Sequence, residues 1–277
     1  SDVEISSSAS LIAMAVFDPS LPSRSRSPAK CSPQGASGAR NGTCPADPAT
    51  KKTVTADSAD SSQLIGLDFD CTITVRHFYK SVANLLMGKP MAHPHCAIFH
   101  AWLKKEGVKL EVPQQTDVHW MVSAVETLSH VLGADRFRHL IREVFLGGEE
   151  RIQHLTAWFA RKDQEGIHFA IITAGVASSV SMALEAVPEW DRFFPTDVVL
   201  DLSQSRHQVP SITGQKALIL RDLRPMARIV LVDDSLREDP IPTWILRRSQ
   251  VKFVALPYEG TGLNLQRCAD VDAELLH

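Results

Sequence analysis

The chain has 277 residues, of which 44% are apolar and 22% charged, with a formal net charge of −3. This balance is typical of globular proteins and gives no reason to expect nucleic acid or an anionic membrane as a partner. No apolar run approaches the roughly 18 residues of a membrane span. The five scattered cysteines lack a C-x-x-C pair, which predicts reduced thiols in an intracellular, cytoplasmic protein.

Residues 1–62 differ from the rest of the chain in composition. They are rich in Ser and Pro and lack a periodic apolar pattern, so they bury too little apolar surface to offset the entropy of ordering. We predict a disordered N-terminal segment. Its basic, acid-poor stretch between Ser20 and Thr53 is also typical of a plastid or mitochondrial transit peptide. A plain flexible tail is the preferred interpretation of the two.

From Gln63 onward, short apolar runs alternate with amphipathic segments. Most runs are continuous, as in strands covered on both faces. The alternation predicts an α/β fold with a Rossmann-like, doubly wound parallel sheet. The predicted strands are Leu64–Phe69, His168–Ile172, Asp197–Leu200, Ile229–Val232 and Lys252–Leu256, and the predicted helices between the later strands are Arg151–Lys162, Val176–Val187 and Lys216–Leu223.

The connection between the first two strands is too long for a simple crossover, and a structureless loop of that length is improbable in a compact domain. We predict a small helical cap domain at 75–150, inserted into a catalytic core made of 63–74 and 151–277. Its hinges are expected near Thr74–His77 and at Gly147-Gly148. The helices predicted in the cap are Phe78–Met87, Ala97–Lys105, Val118–Leu132 and Asp135–Phe145.

Three predicted strands end in polar residues. Asp68 and Asp70 end the first strand, Thr173 ends the second, and the pair Asp233-Asp234 follows the fourth. In a doubly wound sheet, ligands bind at the carboxyl ends of the strands. Because burying an unpaired carboxylate is costly, acids gathered there usually hold a metal or do chemistry.

The residue types point to magnesium and phosphate. Carboxylates are the ligands that Mg²⁺ prefers. On an extended strand, side chains two residues apart project to the same side, so one of the first two acids can attack while the other moves protons. A phosphate beside these acids needs a further cation, which Lys216 is placed to supply, with Arg206 as the fallback. The expected phosphate-binding groups are Thr72, Thr173, Ala174, Gly175 and Lys216.

In this order and spacing, the motifs Asp68-Phe69-Asp70-Cys71-Thr72, Thr173, Lys216 and Asp233-Asp234 resemble the four motifs of the haloacid dehalogenase-like hydrolase superfamily. The segment at 75–150 resembles the C1-type helical cap of its small-metabolite phosphatases. Dehalogenases of this superfamily lack an acid at the position of Asp70, and its ion-pumping ATPases carry Thr there. The acidic pair is also similar to that of its protein phosphatases, but these lack a sizeable cap.

The resemblance implies a Mg²⁺-dependent phosphatase that hydrolyses a phosphate monoester of a small metabolite. Asp68 would form an aspartyl-phosphate, and Asp70 would act as acid and then base. The metal would be held by Asp68, by Asp70 through its backbone carbonyl, and by Asp233 or Asp234. A phosphomutase and a catalytically silent binding module are the alternatives.

Two further groups of residues attract attention. Cys71 lies inside the first motif, where an inert thiol is preferred over a redox-sensitive one. The group His93, His95, Cys96 and His100 fits no zinc spacing, and ordinary cap residues are the preferred interpretation.

Overall fold

The computed structural model describes residues 62–86, 94–108, 120–257 and 261–276. The segment predicted to be disordered lies outside these ranges except for Ser62, and so do His93 and three predicted helix residues, Met87, Val118 and His119. None of the described helices is long and apolar enough to cross a membrane.

Five parallel strands form one sheet in the described part of the chain, in the order β3-β2-β1-β4-β5. The first strand lies at the centre, between the second and the fourth. The carboxyl ends of all five strands therefore meet at one edge of the sheet. This is the predicted α/β fold with a doubly wound parallel sheet. The strands are β1 Gln63–Leu67, β2 Ile167–Thr173, β3 Val199–Asp201, β4 Arg228–Asp233 and β5 Val251–Ala255.

Helices pack on both faces of this sheet, and the sheet separates two hydrophobic clusters. Leu64 and Ile65, adjacent in β1, belong to different clusters because successive side chains point to opposite faces. Gly66 lets one helix approach closely, since an added Cβ would lie 2.3 Å from Leu220 Cδ1. The described helices from Glu149 onward are α5 Glu149–Gln164, α6 Ala177–Leu184, α7 Ile212–Leu223, α8 Thr243–Ser249 and α9 Leu265–Leu276.

The long connection between β1 and β2 contains helices, as predicted. A π-helix, Leu140–Phe145, directly follows the α-helix Ala134–His139. The paired glycines Gly147 and Gly148 then lead into α5, with φ of 82° and 90°. The described helices of this insert are α1 Phe78–Leu86, α2 Pro94–Lys105, α3 Trp120–Leu132 and α4 Ala134–His139.

Two predicted boundaries differ from the structure in ways that matter for the site. The first strand ends at Leu67, because the chain turns tightly over Phe69–Ile73. Helix α7 begins four residues before Lys216, at Ile212. Ser211 caps it by accepting a hydrogen bond from Gly214 N at 2.9 Å, which fixes the start of the helix before Lys216.

Candidate active site at the carboxyl edge of the sheet

Asp68 is the first residue after β1 and is buried. Its backbone N–H donates to Val232 O at 2.9 Å, which holds it against the end of β4. The chain then leaves the strand, and Cys71 adopts a left-handed conformation with φ of 57°. Asp68 and Asp70 both lie beyond the end of β1 with extended backbone angles, and their shared role in the site stays a prediction.

Lys216 joins two of the predicted acids. Its Nζ lies 2.8 Å from Asp68 Oδ1 and 2.8 Å from Asp233 Oδ2, and all three side chains are buried. Lys216 thus lies in the second turn of α7 and reaches back across the strand ends. The fallback cation, Arg206, lies instead on an exposed surface, where its guanidinium pairs with Asp222.

The pair after β4 supplies two carboxylates with different surroundings. Asp233 Oδ1 accepts hydrogen bonds from Ser235 N at 2.8 Å and from the Ser235 hydroxyl. Asp234 is buried beside it. Carboxylate oxygens of Asp68, Asp233 and Asp234 all lie within 4.8 Å of one another, which is a donor set suited to a hard divalent cation.

The charges of this cluster perturb one another. Burial raises the pKa of Asp68 well above its usual range; Lys216 opposes this rise, and the charges of Asp233 and Asp234 add to it. Burial and the neighbouring Asp233 raise the pKa of Asp234 to about 6. Burial disfavours the charged form of Lys216, but the two carboxylates outweigh it and hold its pKa above the usual range. The site therefore favours bound cations.

Asp70 connects the turn to the helical insert. Its Oδ1 accepts hydrogen bonds from the backbone N–H groups of Phe78 at 2.6 Å and Tyr79 at 3.1 Å, the first residues of α1. His77 Nδ1 lies 3.5 Å from the same oxygen. The side chain of Asp70 thus caps α1 and is not part of the three-carboxylate cluster, whereas its predicted metal contact runs through the backbone carbonyl.

Two predicted hydroxyl groups lie at this edge. Thr173 Oγ1 accepts from Gly175 N at 2.9 Å, which leaves its own proton to donate. The Thr72 hydroxyl is buried and lacks a hydrogen-bond partner within the described residues, an uncommon state for a buried polar atom.

The N-terminus of α6 is less open to an anion than its position after β2 predicts. The helix begins at Ala177, and the N–H of that residue donates to Asp201 Oδ2 at 2.9 Å. A carboxylate from the end of β3 therefore already occupies part of this helix end. Of the two residues predicted to bind phosphate in this loop, Ala174 is exposed and Gly175 is half-buried.

Arg151 in α5 is a residue that sequence reasoning missed. Its guanidinium donates to three backbone carbonyls: Ile73 O at 2.8 Å, Leu146 O at 2.7 Å and Thr72 O at 3.2 Å. These carbonyls belong to the chain leaving the site and to the chain returning from the insert. Gly262 packs against the same point, where an added Cβ would lie 2.6 Å from Arg151 Nη2.

Tyr79 was also missed. Its backbone N–H bonds Asp70, and its ring Cδ2 would lie 3.6 Å from a Cβ at Gly175. The ring therefore bridges the insert and the loop after β2. A contact of this kind depends on how α1 packs across the sheet edge, and no spacing in the sequence signals it.

Neither a protein-family model nor a curated protein sequence matches the chain. Among solved structures, it is similar to the HAD domain of the effector protein Lem4 from Legionella pneumophila, with 15% identity over 78% of this chain and 94% of that chain and a TM-score of 0.37. It is also similar to cytosolic 5'-nucleotidase IIIB bound to cytidine, with 15% identity, coverage of 78% and 86% and a TM-score of 0.38.

A third similar structure is a phosphoserine phosphohydrolase-like protein from Francisella tularensis, with 11% identity, coverage of 78% and 98% and a TM-score of 0.39. The identities and TM-scores of these three matches are low, so the fold and the chemistry of this chain are argued from its own residues.

Proposed function

We propose that the protein is a Mg²⁺-dependent phosphatase acting on a phosphate monoester. The observation that carries this proposal is the buried group Asp68–Lys216–Asp233, in which one ammonium joins two carboxylates at 2.8 Å each. A buried acid beside a lysine and two further acids is costly for a fold to keep without a function. The Asp-x-Asp order, with Asp70 at the next turn, favours phosphoryl transfer.

The donor set fits magnesium. Asp68, Asp233 and Asp234 offer oxygens within 4.8 Å of one another, and Mg²⁺ is bound by a few carboxylates together with water. The raised pKa values of Asp68 and Asp234 are consistent with carboxylates that need a cation to ionise fully. When bound, Mg²⁺ would neutralise negative charge on the phosphoryl oxygens and orient them.

In the proposed first step, a carboxylate oxygen of Asp68 forms a bond to phosphorus and the bond to the ester oxygen breaks. Asp70 gives a proton to that oxygen, so the product leaves as an alcohol. Water then attacks phosphorus, Asp70 takes its proton, and the bond to Asp68 breaks to release inorganic phosphate. Lys216 would stabilise the developing charge next to Asp68.

Phosphate oxygens would be bound by the Thr173 and Thr72 hydroxyls. The buried Thr72 hydroxyl supports this role, because a phosphate oxygen would supply its missing partner. We further propose that the substrate is a small metabolite selected by the helical insert. The hydrogen bonds from the start of α1 to Asp70 support this, since they couple the insert to the proposed acid.

Hydrolysis of p-nitrophenyl phosphate, followed with and without Mg²⁺, tests the proposal. We expect turnover that requires Mg²⁺ and that is lost on chelation. A panel of phosphorylated metabolites then identifies the substrate class. Absence of turnover on every compound, with Mg²⁺ present and the fold intact, would favour the silent binding module, and transfer of the phosphoryl group to product would favour the mutase.

A further inference from the structure

A second group of metal-binding side chains lies beside the proposed magnesium site. Ligand atoms of Cys71, His77 and Asp234 lie within 4.8 Å of one another. Cys71 and Asp234 are buried, and His77 is half-buried. The three come from the turn after β1, the residue before α1 and the end of β4. Asp234 belongs to this group and to the three-carboxylate cluster.

The chemistry of this group differs from that of a magnesium site. A thiolate and an imidazole are poor ligands for Mg²⁺, which takes oxygen donors. Zn²⁺ is bound by Cys sulfur, His nitrogen and carboxylate oxygen, and sites with three protein ligands keep a fourth position for water. The combination Cys, His and Asp is therefore selective for Zn²⁺ over Mg²⁺.

We propose that Cys71, His77 and Asp234 form a Zn²⁺ site that shares Asp234 with the magnesium site. Zinc-bound histidines usually contact a carboxylate or carbonyl through the second ring nitrogen. Asp70 Oδ1 lies 3.5 Å from His77 Nδ1 and is the nearby carboxylate for such a contact. On binding, the Cys71 thiol loses its proton to solvent as the sulfur–zinc bond forms.

Carboxylates surround Cys71. Asp70 precedes it in the turn, and a carboxylate oxygen of Asp234 lies within 4.8 Å of its sulfur. A divalent cation bound there would balance negative charge that the site already holds. A simple buried cysteine is the alternative, but a left-handed φ of 57° costs a cysteine free energy that a glycine avoids.

Because Asp234 is shared, the site has a consequence for the proposed function. Zn²⁺ bound to Cys71 and His77 draws on a carboxylate that Mg²⁺ would use. We therefore infer that Zn²⁺ inhibits the phosphatase by way of Cys71. This consequence depends on the proposed function, whereas metal binding itself does not.

Cobalt binding to the full chain tests the site without reference to activity. Co²⁺ replaces Zn²⁺ at thiolate sites and gives a near-ultraviolet charge-transfer band when bound to sulfur. We expect this band in the wild type, its loss in Cys71→Ala and in His77→Gln, and its displacement by Zn²⁺. The matched control is Cys268→Ala, which removes the other buried free cysteine among the described residues and should keep the band.

Calorimetric titration with Zn²⁺ gives the size of the effect. We expect Cys71→Ala to weaken binding by more than about 100-fold, the upper range for loss of a second-shell contact alone. Cys71→Gly, which also relieves the left-handed strain, serves as a second variant that should fold and should bind as weakly. A band that persists in Cys71→Ala, or its absence from the folded wild type, would overturn the assignment.

Inhibition by Zn²⁺ is measured in a separate experiment, with each variant normalised to its own zinc-free activity. We expect fractional inhibition to fall in Cys71→Ala and to persist in Cys268→Ala. Equal inhibition in both would place the inhibitory ion at Asp68 and Asp233 and contradict the shared site. If the wild type lacks phosphatase activity, the cobalt spectrum still decides whether the metal site exists.

Discussion

Two buried regions of this protein hold positive charge in opposite ways. At the edge of the sheet, Lys216 is held by the carboxylates of Asp68 and Asp233. At the base of the insert, the half-buried Arg151 donates to backbone carbonyls of Thr72, Ile73 and Leu146, its hydrogen-bond acceptors within the described part of the chain. Burial lowers the pKa of Arg151 to about 10, whereas the carboxylates hold that of Lys216 above its usual range.

The difference in partners distinguishes a group of side chains that can react from one that stabilises the fold. Charged partners at the sheet edge can exchange for a metal or a phosphate, so that cluster can take part in a reaction. The partners of Arg151 are uncharged carbonyls inside a backbone hydrogen-bond network: Thr72 O also accepts from Leu263 N at 2.7 Å, and Val75 N donates to Phe145 O at 2.7 Å nearby. We therefore expect substitutions in the first region to remove activity and substitutions in the second to remove stability.

The largest expected effect is loss of turnover in Asp68→Asn. The amide keeps the size of the side chain but cannot attack phosphorus, so we expect activity to fall by about 1,000-fold or more. The fold should be retained, as measured by circular dichroism and thermal unfolding. Appreciable activity in a correctly folded Asp68→Asn protein would remove Asp68 from the role of nucleophile.

Arg151→Met tests the opposite region. The buried carbonyls of Ile73 and Leu146 lose the guanidinium donor, whereas Thr72 O keeps its hydrogen bond from Leu263 N, and we expect the free energy of unfolding to drop by about 3 kcal/mol. The matched control is Arg161→Met on the same helix, which loses an exposed pair with Asp272 and should cost less than about 1 kcal/mol. Denaturant unfolding compares the two, and similar costs would show that Arg151 does not clamp the linkers.

Replacing Gly147-Gly148 with Ala-Ala addresses the predicted hinge. Both residues have left-handed φ, and a Cβ at Gly147 would lie 2.9 Å from Val75 Cγ1. We expect a stability loss of about 1–3 kcal/mol from strain, and a larger fall in turnover for a metabolite substrate than for p-nitrophenyl phosphate.

Gly166→Ala is the matched control for that pair. It has a φ of 78° with open space around it and lies away from the linkers, so it should lose stability without selective loss of turnover. Equal losses of turnover on both substrates in the Ala-Ala protein would count against a moving lid, and no loss on either would locate the hinge elsewhere.

The smallest expected effect is on the pH dependence of metal binding. The pKa of Asp234 is raised to about 6 in the folded, metal-free protein. In the unfolded chain the same carboxyl has its ordinary, lower pKa, so it loses its proton at a lower pH. Protonation therefore stabilises the metal-free fold, and this contribution is lost as pH rises through about 6.

Mg²⁺ must displace that proton, so the rise in Tm caused by saturating Mg²⁺ should be larger at pH 8 than at pH 5. Differential scanning fluorimetry measures both shifts. Asp234→Asn should reduce the dependence on pH, and an unchanged dependence in that variant would assign the proton to another group.

The comparison also indicates how far sequence reasoning reaches. The sheet and its helices follow from apolar periodicity, and that prediction is confirmed. The acids and Lys216 meet because parallel strands end at one edge, which the motif order already implies; their roles stay predictions. Arg151 could not be found this way, since its partners are backbone carbonyls, which leave no pattern in the sequence.

The tight turn marks a second limit. The predicted first strand extended to Phe69, whereas β1 ends at Leu67 and the chain turns over Phe69–Ile73, where Asp70 accepts hydrogen bonds from the start of α1. The same turn brings Cys71 near His77 and Asp234. The positive φ of Cys71 is part of this turn, and the sequence carries no Gly or Asn there to signal it.

The central claim is that Asp68 carries the phosphoryl group during turnover, and trapping that intermediate tests it most directly. Wild-type protein is mixed with substrate and Mg²⁺, quenched in acid within the first turnover and digested for mass spectrometry. We predict a mass increase of one phosphoryl group on the peptide containing Asp68, absent from Asp68→Asn and without Mg²⁺. Turnover with no phosphorylated peptide, or with the phosphoryl group on another residue, would contradict the account.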